Sequence, residues 1–476
     1  MSPAATAAHR AHAGAANRAT AGLAQNGQER VTRLDPGTDR EELWPAMPAP
    51  DVPAPDVPAP GAPAPGAPLR IALLAYRGNP HVGGQGVYVR HLSRALTDLG
   101  HRVVVLSGQP YPVLDEAVPL VELPSLDIYN DHFPLRMPGP WELKHWPDLV
   151  ELASFSAGTF PEPLAFSLRA WDHLRHNHHA FDLVHDNQSL GYGLLGIQRL
   201  VPVLATVHHP ITVDRRVEMD HASSAYRRLT LRRWYAFTRM QTRVARRLDR
   251  VITVSSSSKI DIAREHRVPA ERIHVVPVGV DTEAFRPLPG VQRVPGRLVT
   301  TASADVAMKG LRFLLEALAK LRTEREATLV VIGRARPGGR SADTIRRLGL
   351  ADAVEFVSSV PDRAVLELYA QAEVAVVPSL YEGFSLPAIE AMACAVPLVC
   401  TTGGALPEVV GADGDAALLV PPGDSDELAR RLRGVLADPM LRARMGAAGR
   451  QRVIERWSWA RTAELTVGQY RALLRQ

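Results

Sequence analysis

The sequence predicts an α/β protein in which two Rossmann-like domains face a central cleft behind a disordered N-terminal tail. Three observations carry that prediction. At 476 residues, with 46% hydrophobic side chains, the chain is too long for one ordinary core and apolar enough to fill two. Short apolar runs of strand length alternate with stretches of helical spacing in two separate series, the pattern of parallel sheets covered by helices. The opening 68 residues, rich in Ala, Pro and Gly, cannot bury enough apolar surface to offset chain entropy.

Residues 1–68 form the tail, whose last part, 48–68, repeats Ala-Pro and Asp-Val-Pro units and reads as a semi-extended linker. A strand at 69–75, a glycine-bearing loop at 78–86, a helix at 87–99 stopped by Gly100 and a strand at 102–106 make a βαβ opening. Further strands are expected at 183–184, 203–207 and 250–254, whereas 111–180, with several prolines and aromatics, gives no strand pattern. The turn-rich Pro277-Val278-Gly279-Val280-Asp281 places a hinge near 277–290. A second series follows at 298–302, 328–332, 354–357 and 374–377. The domains are then 69–279 and 280–455, with a last segment at 456–476.

The formal charge of +5 suits phosphorylated or membrane-surface partners and does not point to nucleic acid. Two cysteines, Cys394 and Cys400, supply neither a disulfide framework nor zinc spacing and fit a reducing cytoplasm. No apolar run approaches bilayer-spanning length and the start of the chain lacks a signal-type apolar region. The expected location is cytoplasmic, with any contact at the inner membrane surface peripheral.

The most informative stretch is Glu382-Gly383-Phe384-Ser385-Leu386-Pro387-Ala388-Ile389-Glu390. Gly383 lets backbone approach a ligand, and Pro387 fits only in a first helical turn, so a helix starts near Ser385. Its unpaired N–H groups and positive dipole end suit a diphosphate, and the two carboxylates accept hydroxyl hydrogen bonds from a sugar on one side and a ribose on the other. A capped surface helix with an acidic first turn is the competing reading of the pair alone.

Flanked by Val374-Ala375-Val376-Val377-Pro378-Ser379 and by Gly403-Gly404 with Pro407-Glu408-Val409-Val410, this stretch resembles the donor-binding region of retaining family-4 glycosyltransferases, which have the GT-B fold. The likeness extends over residues 69–476. It implies that Glu382 meets the donor sugar hydroxyls, that the amides of Gly383, Phe384, Ser385 and Leu386 meet phosphate, and that Glu390 meets the ribose. Gly83-Gly84, followed by Tyr88, Leu92, Leu96 and Gly100-His101, matches the family's first-domain signature, in which this loop reaches the diphosphate across the cleft, with Gly84 the chosen contact. Lys309 stands where the family has a phosphate-binding lysine, and His208, in Thr206-Val207-His208-His209-Pro210, where it has a histidine contacting donor sugar or acceptor. By the same resemblance the first domain takes the acceptor and the second the donor. The segment containing Trp457-Ser458-Trp459 becomes a helix crossing back to the first domain. The family's Gly-Arg pair before the lysine is missing, since the chain reads Thr301-Ala302-Ser303-Ala304-Asp305. A point-charge lysine does not replace a planar arginine fork, and Arg334 and Arg336 are the candidate substitutes.

Other features carry weaker signals. His185 ends a strand and has a lesser claim on the cleft. His173, His176, His178 and His179 read as a solvated helix end, and the triplets at 413–415 and 424–426 as turns, so no metal site is expected. Between Arg227 and Arg250 paired arginines alternate with Leu, Trp, Tyr and Phe, a solvated helix or a face for an anionic or lipid-linked acceptor and peripheral membrane contact. The implied function is retaining transfer of a hexosyl group from a nucleotide-diphosphate sugar to a glycan, lipid-linked or small-molecule acceptor, without metal or cofactor. Lys309, Gly84 and the helix start would stabilise the leaving β-phosphate. Two alternatives stay open: a sugar-nucleotide-binding protein that has lost transfer, motivated by the missing arginine, and a sugar-nucleotide 2-epimerase, whose acid/base carboxylates are not identifiable.

Overall fold

The computed structural model describes residues 66–475 apart from 79–83, 130–135, 221, 223, 303–304, 335, 337 and 359. The predicted tail, except for 66–68, and Gly83 lie outside the described residues. Two wholly parallel sheets lie within one unit, Ala62–Gln476. The first contains β1 (Arg70–Ala75), β2 (Arg102–Ser107), β3 (Leu120–Glu122), β4 (Leu183–Asn187), β5 (Val203–Val207), β6 (Arg250–Thr253) and β7 (Ile273–Val275), in the spatial order β3-β2-β1-β4-β5-β6-β7. The second contains β8 (Arg297–Thr301), β9 (Thr328–Ile332), β10 (Val354–Val357), β11 (Val374–Val377), β12 (Leu398–Thr401) and β13 (Ala417–Val420), ordered β10-β9-β8-β11-β12-β13.

Both sheets start in the middle, grow one way, then jump back and grow the other way. The jump lies between β1 and β4 in the first and between β8 and β11 in the second. At such a point the loops leaving the carboxyl ends of neighbouring strands diverge and open a crevice. Every strand of the sequence reading is present, with ends shifted by a residue or so except at β4, which runs three residues past Val184. β3 and β7, three residues each, and β12 and β13, four each, were not foreseen. Runs this short carry no alternation that distinguishes strand from helix. Within 111–180 the structure has β3 and the helices Trp146–Ser156 and Glu162–Asn177. The helix after β1 spans Gly84–Asp98, so Gly84 opens it rather than standing in the preceding loop.

The chain passes between the sheets twice, after β7 and again before the helix Trp459–Leu474. The two crossings pair as Val280 with Ser458, and Val280 N donates to Trp457 O at 3.0 Å. They lie so close that a Cβ on Gly279 would stand 2.3 Å from Trp459 N, which explains the glycine. The helix Trp459–Leu474 packs on Gly84–Asp98 in the first lobe. Tyr470, fully buried there, places its hydroxyl 2.6 Å from His185 Nδ1. Cys394 and Cys400 are both buried free thiols. No described helix is long and apolar enough to cross a membrane.

Candidate functional site

The loops from β8 and β11 meet at the second sheet's jump. Lys309 ends a short turn, Ala307–Lys309, and Gly310, at φ +64°, leads into the helix Leu311–Arg322. A Cβ on Gly310 would collide with Pro378 O, and Leu380 N donates to Met308 O at 2.7 Å, so backbone stitches the two loops together. Their side chains then converge: Lys309 Nζ lies 2.8 Å from Glu382 Oε1, which also accepts from Ser379 Oγ at 2.6 Å. Glu382 is 8% exposed and the Lys309 side chain 33%, so a cation reaches the crevice from a carboxylate at its wall.

Beyond Glu382 the chain bends sharply into the helix Leu386–Ala393, with Pro387 in its first turn as expected. Ser385 stands before that helix at φ +92°, a conformation that costs a non-glycine residue on the order of 1–3 kcal/mol and is typical of functional loops. Its side chain makes no capping bond, contrary to what a serine in this position suggests, and its buried Oγ has no hydrogen-bond partner among the described residues. Phe384 is buried edge-on against Trp457, with ring centres 5.3 Å apart. Glu390 lies in the helix's second turn, not its first, half-buried, with Tyr369 Oη 3.4 Å from its Oε2.

The first lobe supplies the opposite wall. A Cβ on Gly84 would stand 3.4 Å from Leu386 Cδ1, so these two residues from different lobes face one another. Gly383 fits even more tightly, since a Cβ there would stand 2.6 Å from His208 O. Sequence reasoning assigned Gly383 to close approach of a ligand; its bare Cα serves the approach of the first lobe. His208 follows β5, and its Nε2 lies 2.7 Å from Asn187 Oδ1 at the end of β4. Because that oxygen only accepts, His208 Nε2 carries the proton in this arrangement. Burial, with a smaller contribution from the neighbouring His209, pushes the His208 imidazole down to about 3, so it works as a neutral group.

His209 is the residue that sequence reasoning passed over. Burial opposes its protonation, but Asp214 Oδ2 at 2.8 Å from Nε2, and more distantly Glu382, outweigh burial and hold it above the usual imidazole range. It is therefore the imidazole whose charge is coupled to Glu382 and Lys309. A His-x4-Asp pattern running from the loop after β5 into the helix Ile211–Asp220 was the local signal for it. His185 is committed elsewhere: Nδ1 faces Tyr470 Oη and Nε2 faces Thr206 Oγ1, each at 2.6 Å.

In the stretch that lacks the family's Gly-Arg pair, Asp305 at φ +68° accepts from Ser341 N at 2.7 Å and so caps the helix Arg340–Arg347. Arg334 and Arg336, beyond the end of β9, are exposed. Asp424 is a helix cap, accepting from Asp426 N and Glu427 N, and Asp413 accepts from Leu419 N. Among the described residues no three His, Cys, Asp or Glu side chains gather as a metal-binding group. The 227–250 segment folds as helices Ala225–Trp234 and Thr238–Ala245, with Arg227, Arg228, Arg232, Arg233, Arg246 and Arg247 all exposed.

A second polar cluster lies at the carboxyl ends of β1 and β2, where Tyr76, Gln109, Glu151, Glu162 and Arg169 line a cavity of about 10 Å³, room for one water. Burial pushes the Glu162 carboxyl up from 4.5 to about 8, although Arg77 Nε sits 3.1 Å from it. The native state then holds a proton that the unfolded chain releases above 4.5, so this contribution to stability is present at low pH and lost as pH rises through about 8. Glu162→Gln, a fixed neutral mimic, is expected to gain stability relative to the parent between pH 5 and 8.5, read from denaturant midpoints. A difference independent of pH would refute the buried-proton account.

The model for "Glycosyltransferase Family 4" matches residues 82–284, and the model for "Glycosyl transferases group 1" matches residues 293–452. An MMP alpha-(1->4)-mannosyltransferase of Mycolicibacterium hassiacum is 50% identical over 404 residues, covering 84% of this chain and 98% of that protein. A D-inositol 3-phosphate glycosyltransferase of Kineococcus radiotolerans is 30% identical over 429 residues, covering 84% and 92%. Among solved structures, sucrose-phosphate synthase of Thermosynechococcus elongatus superposes with a TM-score of 0.65 at 24% identity, over 85% of this chain and 99% of that one. The HepE protein of Anabaena, in complex with UDP-glucose, superposes at 0.62 and 18%, over 85% and 100%. These likenesses in fold agree with the paired sheets and their shared strand order. On the match of both lobes and on half-identity over nearly the whole length of a known relative, the chain belongs to the family-4 glycosyltransferases, built on the GT-B fold.

Proposed function

We propose that the protein transfers a hexosyl group, mannosyl by analogy with its half-identical relative, from a nucleotide-diphosphate sugar to an acceptor hydroxyl with retention at the anomeric carbon. The observation that carries this reading is the convergence at the second sheet's jump: the Lys309–Glu382 pair beside a strained, buried serine at a helix start. In this reading the diphosphate rests on the amides of 383–386, Lys309 neutralises charge growing on the β-phosphate, and Glu382 and Glu390 accept from sugar and ribose hydroxyls. Lys309 is then drawn partly from Glu382 to the leaving group, a shift that favours the transition state over the ground state. His208, neutral, offers a hydrogen bond and not a charge. The reaction needs no metal, since lysine and helix start supply the positive potential. The enzyme belongs in the cytoplasm, with the exposed arginines of 227–247 as the face that would meet an anionic or lipid-linked acceptor.

Incubation of the purified protein with a panel of nucleoside-diphosphate hexoses tests this. Slow release of free sugar and nucleoside diphosphate, unchanged by a chelator, is the expected result. A changed sugar on an intact nucleotide would establish an epimerase instead, and tight binding without turnover a binding protein.

A further inference from the structure

The start of the helix Ser256–Glu265, in the first lobe, grips the donor loop of the second. Ser255, its N-cap, accepts from Ser258 N at 3.0 Å and donates through its Oγ to Gly383 O at 2.6 Å. Ser258 Oγ lies 3.1 Å from the same carbonyl and 3.0 Å from His208 O. Both serines are fully buried. Ser256 N and Ser257 N, which have no partner inside their own helix, point at the Glu408 carboxylate, with contacts of 2.9 and 3.0 Å to Ser256 N and 3.4 Å to Ser257 N. One turn on, Asp261 Oδ2 accepts from Tyr381 Oη at 2.6 Å. A helix of one lobe is thus capped by a carboxylate of the other, with the charge on the side its dipole favours.

We infer that Ser255, Ser258 and Glu408 are positioning residues that make the donor loop's shape depend on lobe closure. The peptide unit is planar and trans, so the direction of the Gly383 carbonyl dictates that of the Phe384 N–H, which must point the opposite way. Two first-lobe hydroxyls hold that carbonyl and therefore turn the Phe384 amide away from the first lobe, back toward the Ser385 bend. When the lobes part, the hydroxyls leave and the amide loses its fixed direction. The inference rests on the proposed function, in which that amide is one of the diphosphate donors, and it adds what sets it.

Kinetics and X-ray scattering on the full chain test the inference. Glu408→Ala is expected to enlarge the radius of gyration of the free protein and to lower kcat/KM for the sugar nucleotide about 10-fold. Glu408→Gln, whose amide oxygen still accepts from Ser256 N, restores most of both. Ser258→Ala, which removes one hydroxyl without touching the helix cap, lowers kcat/KM by a similar factor when assayed well below its melting temperature. Wild-type kcat/KM in both Ala variants, or a loss that tracks melting temperature and is not recovered by Gln, would overturn the latch. A parent protein that consumes no sugar nucleotide would sink the transferase reading, and scattering alone then decides the latch. Expansion of Glu408→Ala upholds it and an unchanged radius removes it.

Discussion

Lys309→Ala lowers kcat/KM for the sugar nucleotide by about 10²–10³-fold, the usual cost of deleting one preorganised group that faces charge developing in a transition state. The size of the effect follows from the surroundings. The stretch Thr301-Ala302-Ser303-Ala304-Asp305 lacks the arginine that the family motif pairs with this lysine, and Asp305 is spent on capping the helix Arg340–Arg347. With no second cation in the described part of this loop, the proposed mechanism asks the lysine for a larger share of the leaving-group stabilisation. The loss should appear in kcat, since Glu382 holds the lysine in the ground state and only the growing phosphate charge draws it away. Lys309→Arg is expected to recover little, because the guanidinium fork needs a different approach to a carboxylate already bonded to Ser379. Steady-state kinetics with the donor identified by the panel decides the matter. A Lys309→Ala enzyme within threefold of the parent would remove the proposed role.

Tyr470→Ala destabilises the protein by about 3–5 kcal/mol, measured as a drop in denaturant midpoint, by emptying a fully buried aromatic site. Tyr470→Phe isolates the polar part of the effect. It leaves His185 Nδ1 without the hydroxyl now 2.6 Å away, at a cost of about 1–3 kcal/mol. The tyrosine does more than fill space, because its hydroxyl begins a buried chain through His185 to Thr206 Oγ1 and on to Tyr88 Oη. Thr206 lies on β5, two residues before His208, so loosening the chain reaches the cleft wall. If Tyr470→Phe unfolds at the parent's midpoint, the chain contributes packing alone.

Glu382, Glu390 and Lys309 were picked out by the resemblance of their surroundings to the family's donor region, and Glu382 and Lys309 meet where the strand order opens a crevice. The strand pattern of both lobes was legible in short apolar runs alternating with stretches of helical spacing, except where β3, β7, β12 and β13 are too short to show any period. Three kinds of information were not. Ser385 reads only as the start of a helix, yet it stands at positive φ with its buried hydroxyl unbonded among the described residues. Gly383 reads as a ligand contact, whereas the nearest atom to its missing side chain is the His208 carbonyl oxygen. Ser255, Ser258 and Glu408 gain their part in the cleft only from the opposite lobe. Ser258 and Gly383 are 125 positions apart, and Ser256 and Glu408 are 152 apart, so no local pattern pairs them. Sequence periodicity reports the inside of each lobe and says nothing about the faces they turn to one another.

The placement of the helix Trp459–Leu474 also governs how the protein is born. A ribosome releases the first sheet long before it makes the residues that close over it, so that sheet must wait, with the pocket for Tyr470 open and His185 wet, while the entire second lobe is translated and folded. The amino-terminal half therefore matures after the second lobe has been made, and a chain truncated just before Trp459 is expected to show a folded carboxyl-terminal lobe beside an amino-terminal one still susceptible to proteolysis.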